Sequence, residues 1–469
     1  MDAVLLIDFG STYTKLTAVD LDAGELLGTA SALTTVGTGL SRGLAAALAA
    51  LEAKIGPLDF RRRLACSSAA GGLRMVAIGL VPELTVEAAR LAALGAGARL
   101  LGAFGYKLTA GELARLEELQ PDLILLAGGT DGGNEEVIRA NAALLAGSRL
   151  SAPVIVAGNK NASSDLAELL RAAGKEAVAV ANVLPELGRL EVEPAQAEIR
   201  RLFLERIVRA KGLDEVERMI DGILMPTPAA ALRAAELVAG GTGGRPGWGE
   251  LILVDIGGAT TDVHSLAKGA PSRPDILWRG LPEPFAKRTV EGDLGMRYSA
   301  AALTEVCGME RVAALAGLSP DQVKAGVEAR TGDAGYVPRD LADRRLEETL
   351  GYLAISLAVK RHAGVLETHY TPFGISYILR GKDLTQVRRV IGTGGVLLHN
   401  PAPGRMLSGA AFDPAEPENL RPRQAEFYLD RDYILPAMGL LADLAPETAF
   451  RLLDRRVVRL EEEKGVAVD

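Results

Sequence analysis

The sequence predicts an α/β fold of two related lobes, and three observations lead to that prediction. Short apolar runs typical of buried strands alternate with longer stretches of helical composition. A Gly-rich run at residues 240–247 interrupts the chain near its middle. A strand-turn-strand pattern found near the N-terminus also recurs just after that run, which indicates that one unit has been duplicated.

Composition excludes several classes of protein. The 469 residues include 60 acids and 52 bases, and the net charge of −8 argues against a chain that coats nucleic acid or an anionic membrane. No apolar run approaches the roughly 20 residues of a membrane span, and no secretory leader is visible. Two cysteines cannot build a disulfide framework, and the four histidines lack metal-ligand spacing. We therefore expect a cytoplasmic protein that contacts neither nucleic acid nor membrane.

The individual elements follow from local patterns. Strands are predicted at Val4–Ile7, Lys15–Val19, Glu25–Ala30, Leu123–Ala127, Val154–Ala157 and Leu251–Val254. The first two flank a polar break and form an antiparallel pair. Helices are predicted at Leu44–Ala53, where Gly56-Pro57 ends the pattern, and at Ala195–Lys211. Glycine-rich turns followed by amphipathic stretches after the fourth and fifth strands indicate a sheet covered by helices.

Domain boundaries are expected near residues 220 and 400. Residues 1–220 would form the N-terminal lobe and residues 221–400 the second lobe. The Gly-rich run at residues 240–247 is the clearest linker or loop signal. The tail, residues 401–469, is rich in proline and charge, and we expect it to pack back on the N-terminal lobe.

The internal repeat is the most informative feature. Residues 5–16 (LLIDFGSTYTKL) align with residues 252–263 (ILVDIGGATTDV). The matched pairs are Asp8 with Asp255, Gly10 with Gly257 and Thr14 with Thr261. Each copy is a strand that ends in a carboxylate, a turn of small residues and a returning strand. Backbone N–H groups in such a turn can close on a phosphate, and the carboxylate can hold a hydrated Mg²⁺ that bridges the phosphates.

A single copy of this pattern has an ordinary explanation, a β-hairpin whose aspartate caps the turn. Two copies in one chain favour a functional pair, because two such hairpins facing each other would bind a nucleoside triphosphate from both sides. A third element, residues 390–396, is a strand followed by the cluster Gly392, Thr393, Gly394 and Gly395. Its glycines would let the backbone approach an adenine and its phosphates closely, although a plain strand-to-helix turn is the simpler interpretation.

The order of these three motifs is similar to that of the actin, sugar kinase and Hsp70 ATPase superfamily. This resemblance implies a two-lobed ATPase of duplicated ribonuclease H-like domains, with ATP and Mg²⁺ between the lobes. The phosphate-binding residues would be Gly10, Ser11, Thr12, Lys15, Gly257, Gly258, Thr260 and Thr261, and the adenosine motif Gly392, Thr393, Gly394 and Gly395. Asp8 and Asp255 would be catalytic and would hold Mg²⁺ through water. The loop Glu291–Gly295 resembles the superfamily's loop that enters a helix on the nucleotide side.

Four segments carry a narrower resemblance. Leu5–Lys15, Leu126–Asn134, Val156–Lys160 and Thr289–Arg297 together resemble the glutamate mutase accessory proteins, called MutL or GlmL and unrelated to DNA mismatch repair. The likeness extends over nearly the whole chain. It implies an ATPase that protects or reactivates an adenosylcobalamin-dependent mutase, so that mutase subunits are the partners. Cobalamin would be involved only indirectly, through that partner enzyme.

Two further loops remain open to more than one interpretation. Asp131 follows a buried strand among glycines. It would act as a catalytic residue that orients the attacking water or a water in the second coordination sphere of Mg²⁺, or it would form an ordinary Asx turn before a helix capped at Asn134. Lys160 would face a phosphate or a partner, or lie in a solvated loop. No P-loop pattern occurs. The alternatives to an accessory ATPase are a small-molecule kinase with Asp131 as its base, and a non-catalytic nucleotide-gated scaffold or filament former.

Overall fold

The structure, a computed structural model, describes residues 2–10, 12–34, 40–68, 73–210, 219–333, 335–372 and 374–461. Its strands are β1 (Ala3–Phe9), β2 (Tyr13–Asp20), β3 (Glu25–Leu33), β4 (Arg62–Ser67), β5 (Arg74–Ile78), β6 (Arg99–Phe104), β7 (Leu123–Leu126), β8 (Val154–Val156), β9 (Ala177–Ala179), β10 (Ile223–Pro226), β11 (Gly241–Thr242), β12 (Arg245–Pro246), β13 (Leu251–Ile256), β14 (Thr261–Leu266), β15 (Ile276–Trp278), β16 (Ala286–Glu291), β17 (Val365–Thr371), β18 (Gly374–Arg380), β19 (Arg389–Thr393), β20 (Glu426–Asp430) and β21 (Val457–Arg459).

The α-helices described are α1 (Leu40–Ile55), α2 (Glu87–Gly95), α3 (Ala110–Leu119), α4 (Glu136–Ala146), α5 (Lys160–Ala172), α6 (Glu193–Ala210), α7 (Thr227–Gly240), α8 (Ala300–Cys307), α9 (Met309–Ala316), α10 (Pro320–Gly332), α11 (Leu341–His362), α12 (Gly395–Leu398), α13 (Pro403–Leu407), α14 (Leu435–Leu441) and α15 (Pro446–Arg456). Local signals fix several of their ends. Capping boxes start α3, at Thr109 and Glu112, and α10, at Ser319 and Gln322.

Two sheets share one topology. The first has the strand order β3-β2-β1-β4-β10, and the second has the order β16-β14-β13-β19-β20, extended by β21. In both, the first three strands are antiparallel neighbours and the next two run parallel to the first strand. This repeated order is that of a duplicated ribonuclease H-like domain, so the predicted α/β fold of two related lobes is confirmed.

Each sheet carries its insertion at a different place. Between β4 and β10, the first lobe contains an entirely parallel sheet of order β6-β5-β7-β8-β9. Its central strands β7 and β8 are short, apolar and buried on both faces, as a parallel sheet wrapped by helices requires. Between β16 and β19, the second lobe instead contains the helices α8–α11 and the hairpin of β17 and β18.

Strand alternation brings the two repeated sheets together. On β1, Val4 and Leu6 belong to the same hydrophobic cluster as Leu251 and Leu253 of β13. Successive side chains of a strand point to opposite faces, so Asp8 and Asp255 lie on the faces that share this cluster. Helices α7 and α14 complete the cluster between the sheets. They approach closely, because a Cβ at Gly439 would lie 1.9 Å from the carbonyl oxygen of Ala230.

Two regions differ in detail from simple sequence patterns. The Gly-rich run predicted as a linker or loop forms a two-residue hairpin, β11 with β12, directly after α7. The chain beyond residue 400 contributes to both repeated units. It adds β20 and β21 to the second sheet, and its helices α14 and α15 belong to the cluster that includes Val4 and Leu6 of the first sheet. The domain limits near residues 220 and 400 remain predictions.

Candidate functional site

The two repeated hairpins have matching turns. The last paired residues are Phe9 with Thr14 in the first hairpin and Ile256 with Thr261 in the second. In each turn, the N–H of the glycine that follows the strand donates a hydrogen bond to the carbonyl oxygen three residues ahead. Gly10 donates to Tyr13 O at 3.1 Å, and Gly257 donates to Thr260 O at 2.9 Å. The sequence repeat therefore corresponds to a repeat in backbone geometry.

Asp8 is buried at the end of β1 and partly satisfied. It is 4% exposed, and its Oδ1 accepts hydrogen bonds from Thr227 Oγ1 at 2.6 Å and from Cys66 Sγ at 3.6 Å. Its Oδ2 has no hydrogen-bond partner within the described part of the chain. A buried carboxylate oxygen left in this state suits a hard cation or its water ligand. Asp8 therefore fits the predicted Mg²⁺.

Lys15 stands opposite Asp8 on β2. Its Nζ lies 3.9 Å from Asp8 Oδ2 and 3.2 Å from the centroid of the Tyr433 ring. Burial lowers the pKa of Lys15, while the charges of Asp8, Asp255 and Asp430 act in the opposite direction. Charges from both repeated hairpins and from the C-terminal segment therefore act on the single Lys15 ammonium group.

Asp255 has a more acidic environment. Burial, together with the negative charge of Asp262 across the strand pair, raises the pKa of Asp255 to about 7. Asp262 is itself paired with Arg288 of β16, whose Nε lies 2.8 Å from Asp262 Oδ1. Arg288 also donates to the carbonyl oxygens of Leu94 at 3.1 Å and Ala98 at 2.9 Å, at the end of α2. The second hairpin is thereby connected to the inserted parallel sheet.

The predicted adenosine motif lies beside the second hairpin. Gly394 has a φ of 113°, and a Cβ there would lie 2.2 Å from Ile256 O, so only glycine allows this close approach. Gly392 is packed against Leu407, and Gly395, at the start of α12, is exposed. Thr393 is fully buried and donates its hydroxyl to Asp430 Oδ2 at 3.0 Å. The backbone of this motif, rather than the Thr393 hydroxyl, faces the hairpin.

The remaining predicted phosphate residues fall into three groups. Thr261 is buried and donates its hydroxyl to Leu294 O at 2.6 Å, whereas Thr260 donates to Asp262 Oδ2 at 3.1 Å. Thr12 and Gly258 lie in the two turns and are partly exposed. Ser11 lies outside the described residues. For all of these residues, phosphate binding remains a prediction.

The loop Glu291–Gly295 packs directly on the second hairpin. Just beyond it, the N–H groups of Met296 and Arg297 donate to the carbonyl oxygens of Gly257 and Gly258 at 3.0 and 2.8 Å. A Cβ at Gly295 would lie 2.3 Å from the carbonyl carbon of Ala259. The loop then enters α8. A movement of the second hairpin would therefore be transmitted to the helical insertion of the second lobe.

Asp131 and Lys160 occur together at the inserted parallel sheet. The Oδ1 atom of Asp131 accepts hydrogen bonds from the backbone N–H of Lys160 at 3.0 Å and from Asn182 Nδ2 at 2.9 Å. Lys160 begins α5, after the N-cap residue Asn159, and its side chain is exposed. Asp131 therefore ties two loops of the insertion together. A catalytic role for it remains a prediction.

Four residues near the hairpins were not anticipated from sequence: Thr227, Arg288, Asp430 and Tyr433. Asp430 ends β20, and its carboxylate accepts the N–H groups of Ile434 at 2.9 Å and Leu435 at 3.1 Å, at the start of α14. Burial raises the pKa of Asp430 to about 6. Burial and nearby carboxylates also raise the pKa of the Tyr433 phenol, which keeps it protonated. A local signal existed only for Thr227, which stands between two prolines at a helix start.

The described residues lack two kinds of feature. They contain no group of three or more His, Cys, Asp or Glu side chains arranged to hold a metal ion. None of their helices is both long and apolar enough to cross a membrane.

Comparison with known proteins gives one family. A family model described as MutL protein matches residues 4–457. The chain is 49% identical over 462 residues to "Protein MutL" of Clostridium tetanomorphum, a match that covers 98% of this chain and 100% of that protein.

Solved structures show more distant similarity. Nucleotide-free acetone carboxylase is 16% identical with a TM-score of 0.42, over 94% of this chain and 70% of that one. Nucleotide-free diol dehydratase-reactivating factor is 13% identical with a TM-score of 0.37, over 95% and 100%. The 2-hydroxyisocaproyl-CoA dehydratase activator of Clostridium difficile, with bound ADPNP, is 10% identical with a TM-score of 0.34, over 98% and 99%.

Proposed function

Because this chain belongs to the MutL protein family, we propose that it is an ATP-binding and ATP-hydrolysing accessory protein of an adenosylcobalamin-dependent mutase. The resemblance of its motifs to glutamate mutase accessory proteins supplies the type of mutase. The role is to protect or reactivate that enzyme, and the protein itself binds no cobalamin. We place the protein in the cytoplasm.

One observation carries the nucleotide part of this proposal. The two hairpins have the same turn geometry, and their aspartates lie on sheet faces that share one hydrophobic cluster. The charges of Asp8 and Asp255 both act on the pKa of Lys15. This arrangement supports a single polyphosphate site between the lobes.

The chemistry we propose depends mainly on positioning. Backbone N–H groups of the two turns, around Gly10–Thr12 and Gly257–Thr260, hold the phosphates, and the Lys15 ammonium adds positive charge. Asp8 and Asp255 orient water ligands of Mg²⁺. When bound, Mg²⁺ neutralises charge on the phosphates. Phosphoryl transfer needs little covalent work from a protein, so this set of groups is sufficient for slow hydrolysis.

The partner surface would respond to the nucleotide through the elements that contact the hairpins. The Glu291–Gly295 loop leads into the helical insertion, and Arg288 reaches the end of α2 in the parallel insertion. We propose that closure of the lobes around ATP moves these insertions, and that the mutase binds them. Such closure is a common way of linking nucleotide state to a partner.

Isothermal titration with Mg·ATP tests the site. We expect Asp8→Asn and Asp255→Asn each to weaken binding about tenfold or more and to reduce turnover about 10²–10³-fold, because each removes a charge that positions the metal. Asp165→Asn, a change at an exposed residue of α5, is the control and should behave as the wild type. Absence of binding by the wild type, or unchanged binding by a folded Asp8→Asn, Asp255→Asn double variant, would contradict the proposal.

Affinity capture from a native extract tests the accessory role. We expect the subunits of a cobalamin-dependent mutase to be recovered, with cobalamin absorbance in the captured material, and we expect ATP to change the yield. A protein that ignores the mutase but whose ATP turnover rises sharply with one metabolite would be a kinase. ATP-dependent pelleting with no mutase bound would instead indicate a filament-forming scaffold.

A further inference from the structure

Lys15 and Tyr433 come from different repeated units. Lys15 lies on β2 of the first sheet, whereas Tyr433 follows β20 of the second sheet by three residues. The Lys15 Nζ atom is 3.2 Å from the centroid of the Tyr433 ring, in a cation–π contact. The same nitrogen lies 3.9 Å from Asp8 Oδ2. Tyr433 of the second unit thus contacts the Lys15 ammonium group, which faces Asp8.

The position of Tyr433 is set by its own turn rather than by Lys15. Its φ of 53° is unusual for a bulky residue and persists only where neighbours impose it. The N–H of Tyr433 donates to Asp430 O at 3.1 Å, and the Asp430 carboxylate holds the next two N–H groups. Asp430 is fully buried and receives the Thr393 hydroxyl as well. The turn therefore holds the Tyr433 ring in a fixed position.

Lys15, in contrast, has little else to restrain it. Its side chain is 27% exposed, and its separation from Asp8 Oδ2 is longer than a hydrogen bond. A lysine with four rotatable bonds loses considerable freedom when it binds a phosphate. An aromatic ring that already holds the ammonium in place removes part of that cost before the ligand arrives.

We propose that Tyr433 is a positioning residue that holds Lys15 ready for the phosphates, and that it does so only while the second unit stands against the first hairpin. This inference rests on the proposed function and adds the regulation of that same site. Because the ring is attached to β20, a displacement of the second sheet from β2 withdraws it from Lys15. The phosphate site is therefore complete in one arrangement of the lobes and incomplete in another.

The first test compares nucleotides of different phosphate length. For Tyr433→Leu we expect the Kd of ATP to rise about five- to tenfold, while the Kd of AMP changes less than twofold, because only the longer chain reaches Lys15. The KM for ATP should rise more than kcat falls. Tyr433→Phe keeps the ring and should bind ATP within about twofold of the wild type. If Tyr433→Leu does not fold, Tyr433→Met, which is unbranched and flexible, takes its place.

Tyr106→Leu is a matched control, because Tyr106 also has a left-handed backbone, with a φ of 64°, and lies in the insertion away from Lys15. It separates the loss of the ring from the strain of leucine at positive φ. The inference is overturned if Tyr433→Leu binds ATP as the wild type does. It is also overturned if Tyr433→Phe is as damaging as Tyr433→Leu, or if Tyr106→Leu raises the Kd of ATP equally.

A second test requires no nucleotide. Urea unfolding midpoints of Lys15→Met, Tyr433→Leu and the double variant should be non-additive, with the double variant close to the less stable single variant. Additive shifts would overturn the contact itself. Non-additive shifts in a protein that binds no nucleotide would overturn the proposed function, and with it the phosphate role of the pair, while leaving the contact established.

Discussion

The two hairpins carry the same sequence pattern at the same position of their sheets, yet they obtain their positive charge differently. In the first, Asp8 is directly opposite Lys15, so acid and base face each other across one strand pair. In the second, Asp255 is opposite Asp262, so two acids face each other at the equivalent position. The balancing cation there is Arg288 of the next strand, which is 4% exposed.

This difference shows what duplication has preserved and what it has altered. The turn geometry and the first aspartate are repeated, while the returning strand has exchanged a base for an acid. The first hairpin keeps a partly exposed cation beside its aspartate. The second has its cation buried and shared with the end of α2. We infer that both hairpins serve the ligand, and that the second hairpin also provides a mechanical connection to α2.

The sharpest way to test this contrast is to remove the two cations in turn. Arg288→Met leaves Asp262 buried without its partner, and we expect the free energy of unfolding to fall by about 3–5 kcal/mol. Lys15→Met removes a longer pair, 3.9 Å, in which only the lysine is partly exposed, and we expect a smaller loss of about 1–2 kcal/mol. Denaturant unfolding of the two variants measures the difference, and Arg288→Lys, which keeps the charge, should fall between them.

Nucleotide binding should rank the same two variants in the opposite order. Lys15→Met should weaken Mg·ATP binding more than Arg288→Met does, provided that the latter is measured where it is folded. Equal stability losses, or a larger binding defect in Arg288→Met, would remove the distinction between the two hairpins.

A smaller effect is expected where Asp8 is anchored. Thr227→Val keeps the shape of the side chain but removes the 2.6 Å hydrogen bond to Asp8 Oδ1. Leaving a buried carboxylate oxygen short of a donor costs about 1–3 kcal/mol, so we expect a lower unfolding midpoint and weaker Mg·ATP binding. Thr227→Ser retains the hydroxyl and should restore both. If valine and serine give identical results, the hydroxyl does not position Asp8.

The last prediction concerns pH. The pKa of Asp255 is raised to about 7 by burial and by Asp262, so the residue is largely protonated in more acidic solution. Because a metal-bound water needs the ionised form, Mg·ATP affinity should fall by up to about tenfold for each pH unit below that value. The stability of the nucleotide-free protein should change in the opposite sense. A raised carboxyl pKa stabilises the protein in acid, and this contribution is lost as the pH rises from 3.8 through about 7.

Titrations from about pH 5.5 to about pH 8.5 check both trends. Asp255→Asn should flatten the pH dependence of affinity in this range. A variant that keeps the full slope would show that another group controls it.

Sequence reasoning succeeded where the determining contacts are local. The hairpin turns involve residues three apart, and alternation on β1 and β13 determines which face receives Asp8 and Asp255. The strand order of the sheets is harder to predict, because β4 and β10 are neighbours separated by the whole parallel insertion. Likewise, no residue near Lys15 in the sequence indicates its contact with Tyr433, because that contact joins the N-terminal strands to the C-terminal segment.

Charge pairing was likewise predictable only where the partners are close in sequence. The repeat aligns Asp8 with Asp255, and the two occupy equivalent positions in their sheets. The second copy has Asp262 where the first has Lys15, and this difference did not lead us to predict a compensating basic residue. Arg288 reaches Asp262 because β16 pairs with β14, a neighbour relation that depends on the completed sheet. The register places Val290 opposite Asp262 and Arg288 opposite His264, so a search for a cation directly opposite each buried acid would also have missed this pair.

The placement of the parallel insertion also fixes a sequence of events during synthesis. Every strand from β5 to β9 finds its neighbours inside the insertion, so that sheet can be complete once residue 179 has left the ribosome. At that moment β4 still lacks β10, and the second sheet, which needs β20 and β21, does not yet exist. The nascent chain thus carries a finished module beside the open edge of β4 until β10, residues 223–226, emerges, and termination before that point would expose the edge to other chains.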